Sequence, residues 1–271
     1  MSLYITSLNS GSNGNCYYIG NNKEAVLIDA GISCREIEKR MSRLSLSLNK
    51  VKAIFVSHEH TDHIKGIPIL AKKYGIPVYI TPATLHNCNF SLEKVCAFMP
   101  EKQVEIGQLL IKAFLKTHDA AHPHSFMVEY AGIKVGVFTD LGKVCDELTK
   151  HFKQCNAAFL EANYCEELLD KGNYPYFLKN RIRGGRGHLS NTEALNLLKA
   201  HRPDNLSHLI LSHLSKNNNC PDLVRELFLE NAGETKIIVA SRLQETEVYE
   251  ISHTLKEKVM MPVYEQASLF E

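Results

Sequence analysis

Residues 58–63 read HEHTDH, three imidazoles and two carboxylates in six consecutive positions. Neutral imidazole nitrogens and carboxylate oxygens are ligands for divalent metal ions. A short loop can aim His58 and His60 at one ion while Asp62 and His63 turn toward another. No thiolate stands among these donors to select a softer metal, so they suit Zn²⁺ and equally Mn²⁺ or Fe²⁺. The bland alternative is a charged surface loop, and the position of the cluster at the end of the apolar run AIFVS argues against it. The chain's 13 histidines are more than packing calls for in 271 residues.

Hydrophobic patterning gives the elements that must position such a cluster. LYITSL (3–8) and NCYYIG (15–20) flank the turn-rich NSGSNG, and EAVLID (24–29) ends in Asp29, which predicts a strand meander. KAIFVS (52–57) predicts a buried strand that delivers the histidines at its C-terminal end. GISCREIEKRMSRL and KGIPILAKKYG predict helices, the second closed by Gly75. Further strands are predicted at PVYIT, LLIKAFLK (109–116), SFMVEYA (125–131), IKVGVFTD (133–140), AAFLEAN (157–163), HLILSHL (208–214), KIIVAS and VYEIS. Further helices are predicted at CDELTKHFKQC, at NTEALNLLKAHR with Asn191 as cap, and at CPDLVRELFLENAG. Strand runs come first and helices are spaced between the later ones, so two sheets covered by helices are expected. Asp29, His58, His118, Asp140 and His213 fall at predicted strand ends, where α/β folds place their chemistry. Ligands running from position 58 to 213 require a single catalytic domain over residues 1–262, with a short tail at 263–271.

Composition narrows the function classes. A formal net charge of +1 gives no global pull toward nucleic acid or membrane, so a polyanion site must come from local clustering. No apolar run approaches the ~18 residues of a spanning helix, and the start lacks the basic and apolar regions of a secretory signal. Cys16, Cys34, Cys88, Cys96, Cys145, Cys155, Cys165 and Cys220 include no C-x-x-C pair, so free thiols in a reducing cytoplasm are expected.

The cluster resembles the H-x-H-x-D-H signature of the metallo-β-lactamase superfamily, and the resemblance extends along the chain. It implies an α/β fold, the four-layer αββα sandwich of that superfamily. Asp29 matches the first acidic position, which orients the ligand loop. His118 in KTHDAAHP, Asp140 in VFTDLG and His213 in LSHLS match the later ligands. The implied cofactor is a pair of divalent ions, one on His58, His60 and His118 and the other on Asp62, His63 and His213. Asp140 would bridge them, and Asp62 would serve the chemistry as well as the metal. Two such ions can share a hydroxide and clamp both oxygens of an in-line displacement.

A bridging aspartate fits phosphodiesterases and thioester hydrolases better than true β-lactamases, and His60 in place of a glutamate disfavours the flavodiiron branch. The stretch from Asp140 to His213 is too short for the inserted domain of β-CASP members. It contains FLKNRIRGGRGHLSNTEA, in which Lys179, Arg181, Arg183 and Arg186 precede His188. These cations are phosphate-binding candidates, unless they form an ordinary solvated face, and the glycines would let backbone N–H groups approach an anion. Ser10 and Ser12 of SGSNGN are further candidates, in a loop that is either an anion nest or only a tight connection. GHLSNTEA and LILSHLS resemble the paired C-terminal motifs of ribonuclease Z, which implies that His188 sits by the scissile phosphate. There it would stabilise the transition state or protonate the leaving oxygen, a task suited to imidazole.

Over nearly the full length, SLNSGSNGNCYYIG, SHEHTDHIKG, THDAAHP, TDLG, YFLKNRIRGGRGHLSN and LSHLSKNNNCPDL resemble the YycJ/WalJ-type branch of bacterial metallohydrolases. That branch implies a 5′-to-3′ exonuclease acting on DNA ends in repair, with DNA ahead of RNA as partner. The family usually has glutamate where this chain has His122, and His124 adds another imidazole nearby. A thioester or lactone hydrolase of the glyoxalase II type uses nearly the same ligands, and a clamp-associated protein with structural metals is the non-enzymatic alternative. The closing PVYEQASLFE resembles the peptide with which bacterial replication and repair proteins bind the sliding clamp. Leu269 and Phe270 would be its apolar anchors, with Gln266 fixing register and Ser268 between them.

Overall fold

Short runs rich in β-branched and aromatic residues give two seven-stranded mixed sheets. The computed structural model describes residues 1–253, and the tail residues Gln266, Ser268, Leu269 and Phe270 lie outside them. The first sheet begins with β1 (Ser2–Asn9), β2 (Cys16–Gly20), β3 (Ala25–Ile28), β4 (Val51–Phe55), β5 (Val78–Tyr79) and β6 (Val95–Cys96). The second holds β7 (Gln103–Ile106), β8 (Leu109–Leu115), β9 (His124–Tyr130), β10 (Ile133–Phe138), β11 (Ala157–Glu161), β12 (His208–Ser212) and β13 (Lys236–Val239). β14 (Tyr249–Ser252) returns to the first sheet beside β1. Each sheet joins an antiparallel meander to parallel strands, β3–β4–β5–β6 in one and β10–β11–β12–β13 in the other. The candidate site residues follow the C-terminal ends of β3, β4, β8, β10, β11 and β12.

Strand alternation explains the layering. In β11, Ala157 and Phe159 point into the core between the sheets, while Ala158 and Leu160 point to the outer face. In β4, Ala53 and Phe55 face inward and Ile54 faces outward. Strands buried on both faces must read as continuous apolar runs. The outer faces are covered by α1 (Cys34–Arg43) and α3 (Ile67–Tyr74) on the first sheet, with α2 (Thr61–Ile64) and α4 (Pro82–His86) beside them in sequence. On the second sheet α5 (Asp146–Phe152), α8 (Asn191–His201) and α9 (Pro221–Leu229) do the same through Phe152, Leu198 and Phe228. The expected αββα sandwich is therefore present, as one domain.

One expectation needs correction. Ser190, not Asn191, caps α8, because its hydroxyl accepts from Glu193 N while the Glu193 carboxylate accepts from Ser190 N. Residues 176–183 form a helix, α7 (Tyr176–Arg183), just after α6 (Glu166–Lys171), so Lys179, Arg181 and Arg183 stand on a helix and Arg186 on the bend that follows it. The eight cysteines are free thiols. Among the described residues no helix is long and apolar enough to cross a membrane.

Candidate metal centre

The ligand loop is built where β4 stops. His60 caps the single turn α2, which swings Asp62 and His63 back over the end of β3. Backbone hydrogen bonds fix that return: Asn15 N donates to Asp62 O at 2.7 Å and Ala30 N to His63 O at 2.9 Å. The contact requires a glycine at 31, since a Cβ there would lie 1.7 Å from Asp62 O. Asp29 then holds three groups at once. Its carboxylate accepts from Ser57 N at 2.7 Å, Ser57 Oγ at 2.7 Å and His63 Nδ1 at 2.6 Å.

Asp29, Asp140 and His213 adopt left-handed backbone, with φ of 61°, 54° and 57°. All three follow strand ends, where the chain must turn sharply to present a side chain over the sheet. Such conformations cost a non-glycine residue roughly 1–3 kcal/mol and persist where surrounding structure over-determines them.

The buried histidines share one wiring. His63 gives Nδ1 to Asp29, His118 gives Nδ1 to Gly187 O at 2.9 Å, and His213 places Nδ1 3.2 Å from Glu161 Oε1. His58 Nδ1 meets Ser57 Oγ at 2.9 Å. Each ring therefore spends one nitrogen on a supporting group and turns Nε2 toward the centre, the arrangement that orients imidazole for a metal. His58, His60 and His118 bring three ligand atoms within 4.8 Å of one another, and Asp62, His63 and His213 form a second such set. Asp140 lies between them, Oδ2 at 3.1 Å from His63 Nε2 and Oδ1 at 3.5 Å from His213 Nε2 and 3.9 Å from His118 Nε2.

The fit to divalent cations rests on unpaired atoms. His118 Nε2, His213 Nε2 and Asp140 Oδ2 are buried without a hydrogen-bond partner, an expensive state for polar groups unless something else engages them. Imidazole and carboxylate donors of this kind could hold such ions. The electrostatics agree. Burial works against charge on His63, yet Asp140, Asp29 and Asp62 outweigh it and push the imidazole up to about 10. His213 is likewise raised, burial being outweighed by Asp140, Asp62 and Glu161. His58 is held well below its ordinary range by burial, His63 and Lys116, which outweigh Asp140 there. The centre thus carries an excess of negative charge that cations relieve.

Four residues that hold the site had not been singled out in the sequence. Glu161 ends β11, fully buried, and its Oε1 lies 2.8 Å from His188 Nδ1 as well as near His213. A carboxylate within the otherwise apolar predicted strand AAFLEAN is its visible signal. Asn15 Nδ2 reaches His63 Nε2 at 3.1 Å, and Asn163 Nδ2 donates to His213 O at 2.7 Å. Lys116 is buried with Nζ on Thr139 O at 2.6 Å, and nothing in its alternating strand context marked it.

A cavity of about 330 Å³ opens over the centre, with Asp140, His188, Ser12 and Arg181 on its wall. Ser10 is elsewhere: its hydroxyl accepts from His213 N at 2.7 Å and pairs with Tyr17 OH, so it supports a strand end and does not face an anion. The SGSNGN loop buttresses the ligand loop in the same way through Asn15. Arg181 binds Asp119 (2.6 and 2.7 Å), Lys179 Nζ donates to Asp170 O, and Arg183 pairs with the Asp170 carboxylate at 2.8 Å. Arg186 is exposed. Lys179, Arg183 and Arg186 therefore stand off the cavity wall. His122 and His124 stack edge-on at 4.5 Å and belong to neither donor set.

Comparison with known proteins agrees with this geometry. Residues 10–176 match the model of the metallo-beta-lactamase superfamily. Exodeoxyribonuclease YycJ of Bacillus anthracis is 35% identical over 234 residues, 83% of this chain and 87% of that protein. Exodeoxyribonuclease WalJ of Streptococcus pneumoniae is 30% identical over 238 residues, 85% and 88% of the two chains. The crystal structure of the metallo-beta-lactamase fold protein YhfI from Bacillus subtilis superposes with a TM-score of 0.71 at 18% identity, covering 92% of this chain and all of the other. The chain belongs to the metallo-β-lactamase superfamily, in its YycJ/WalJ-type branch, and is a metal-dependent hydrolase.

Proposed function

We propose that this hydrolase is a phosphodiesterase using two divalent ions, and specifically a 5′-to-3′ DNA exonuclease serving repair. The carrying observation is Asp140, whose two carboxylate oxygens face both donor sets, an arrangement suited to in-line displacement at phosphorus. Zn²⁺, Mn²⁺ or Fe²⁺ on His58, His60 and His118, and on Asp62, His63 and His213, with Asp140 common to both, would supply Lewis-acid polarisation and a nucleophile at neutral pH. The remaining work falls to the chain. Glu161 keeps the His188 ring oriented through Nδ1, which leaves Nε2 to deliver a proton to the departing oxygen. Arg181, steadied by Asp119 on the cavity wall, meets substrate phosphate, and Lys179, Arg183 and Arg186 extend the positive surface beyond it. Binding through these cations is salt-sensitive. The names of the YycJ and WalJ relatives support DNA over RNA.

The test is Mn²⁺- and Zn²⁺-loaded protein on duplex DNA labelled at either end, beside His60→Ala. Stepwise loss from the 5′ end, absent in the variant, is the expected result. Cleavage of RNA alone would move the substrate, and activity on thioesters that ignores replacement of Arg181 would move the protein to the glyoxalase II type. The same reading treats residues 263–271 as a clamp-binding tail appended to a catalytic domain over 1–262. A peptide of residues 262–270 should bind purified sliding clamp, and no binding removes this part.

A further inference from the structure

α7 stands on the body of the protein by polar ties, Arg181 to Asp119 and Lys179 and Arg183 to Asp170, and none of its residues is buried. Leu178, Arg181 and Ile182 line the cavity over the metal centre, so the helix forms part of its wall. Yet its first two residues are large aromatics left in water, Tyr176 at 76% exposure and Phe177 at 74%. Such rings ordinarily enter cores, and two adjacent ones at the start of a helix that walls a reaction cavity call for a partner. Helical spacing puts Tyr176 on a stripe with Lys179 and Arg183, and Phe177 on a stripe with Arg181. Residues 173–188 contain four cations and no carboxylate. Rings interleaved with cations are how proteins hold single strands: cations track the phosphates, and each base stacks on a ring whatever its identity. Paired bases hide their faces in the duplex stack and would not reach such rings.

We propose that Tyr176 and Phe177 form a stacking platform for unpaired bases flanking the phosphodiester in the cavity, so that the enzyme grips a single strand as it leaves or enters the site. The inference rests on the nuclease reading and deepens it. The test compares metal-loaded wild type, Tyr176→Ala/Phe177→Ala and the ring-preserving Tyr176→Phe/Phe177→Tyr. Fluorescence anisotropy reports binding of nuclease-resistant phosphorothioate oligothymidylates, a dinucleotide and an octanucleotide. The gain in affinity with length should collapse by about 30-fold in the alanine variant, at the lower end of what two stacked bases contribute, and survive in the ring-preserving one. Equal gains in wild type and the alanine variant overturn the proposal, as does an equal loss in the ring-preserving variant. Hydrolysis of bis(p-nitrophenyl) phosphate by Mn²⁺-loaded wild type is read separately. Its absence tells against the nuclease reading, whatever the binding series gives.

Discussion

Glu161 approaches two imidazoles with one oxygen, His188 Nδ1 at 2.8 Å and His213 Nδ1 at 3.2 Å. Its other oxygen takes the backbone N–H groups of Leu141 and Leu189 at 2.5 and 3.3 Å. Gln at this position would place an NH₂ against either the two imidazoles or the two backbone donors, so one pair must lose its acceptor. Glu161→Gln should therefore reduce activity about 10–100-fold, the usual cost of removing the group behind a ligand. Metal content separates its two roles: retained metal assigns the loss to His188, and depleted metal assigns it to His213. Unchanged activity would remove Glu161 from the site's support. His124 makes a different single-residue case. Burial, His122 and Lys116 depress its imidazole to about 4, against an unfolded value near 6.5. Between those values the unfolded chain binds more protons, so stability falls as pH drops from neutrality toward 4. At pH ~5 this residue alone should cost about 2 kcal/mol relative to pH ~7. Urea midpoints of wild type and His124→Gln at the two pH values check it, since metal-ligand titration is common to both. Parallel pH slopes would show that His124 does not titrate in this way.

At the scale of elements, the ligand loop depends on close backbone packing. Gly31→Ala would drive a Cβ to 1.7 Å from Asp62 O and 2.7 Å from Asn15 N, both backbone atoms that cannot rotate away. The expected cost is about 1–3 kcal/mol, read as a lower urea midpoint at unchanged slope, together with loss of bound metal. A variant that matches wild type in both would mean that the β3 and α2 ends are free to separate. The same packing explains what could be read from residues alone. Strands such as AAFLEAN and HLILSHL are buried on both faces and announce themselves by unbroken apolar character. The histidine cluster announces itself by spacing. By contrast α7 has no buried residue, and the single pair Leu178 and Ile182 does not stand out as an apolar stripe among its cations. Asn15, Asn163, Glu161 and Lys116 were invisible as a group, because what unites them is convergence from separate strand ends, which no local pattern encodes. The choice between nest and connection at Ser10 is undecidable locally for the same reason, its hydroxyl being used by His213, 203 positions away.

At the scale of the whole molecule, both donor sets are composite. His58, His60, Asp62 and His63 follow a strand of the first sheet, whereas His118, Asp140 and His213 follow strands of the second. Each set of three close ligand atoms therefore draws on both sheets. Cations held there would act as cross-links between halves otherwise joined by an apolar core. Binding to the folded state alone stabilises it by RT ln(1 + [L]/Kd), about 4 kcal/mol at a thousandfold excess over Kd. For a domain of this size that corresponds to roughly 10 °C in melting temperature. Metal removal by a chelator should lower the midpoint by about that amount, and added Mn²⁺ or Zn²⁺ should restore it. The distribution of ligands sharpens the expectation. His60→Ala removes a ligand from one set and should retain part of the metal-dependent shift. Asp140→Ala touches both sets and should abolish most of it, although its own metal-free midpoint need not fall, since a buried carboxylate is lost with it. An equal, small shift in wild type and Asp140→Ala would mean that the sheets hold together without the centre and that Asp140 is not common to two ions.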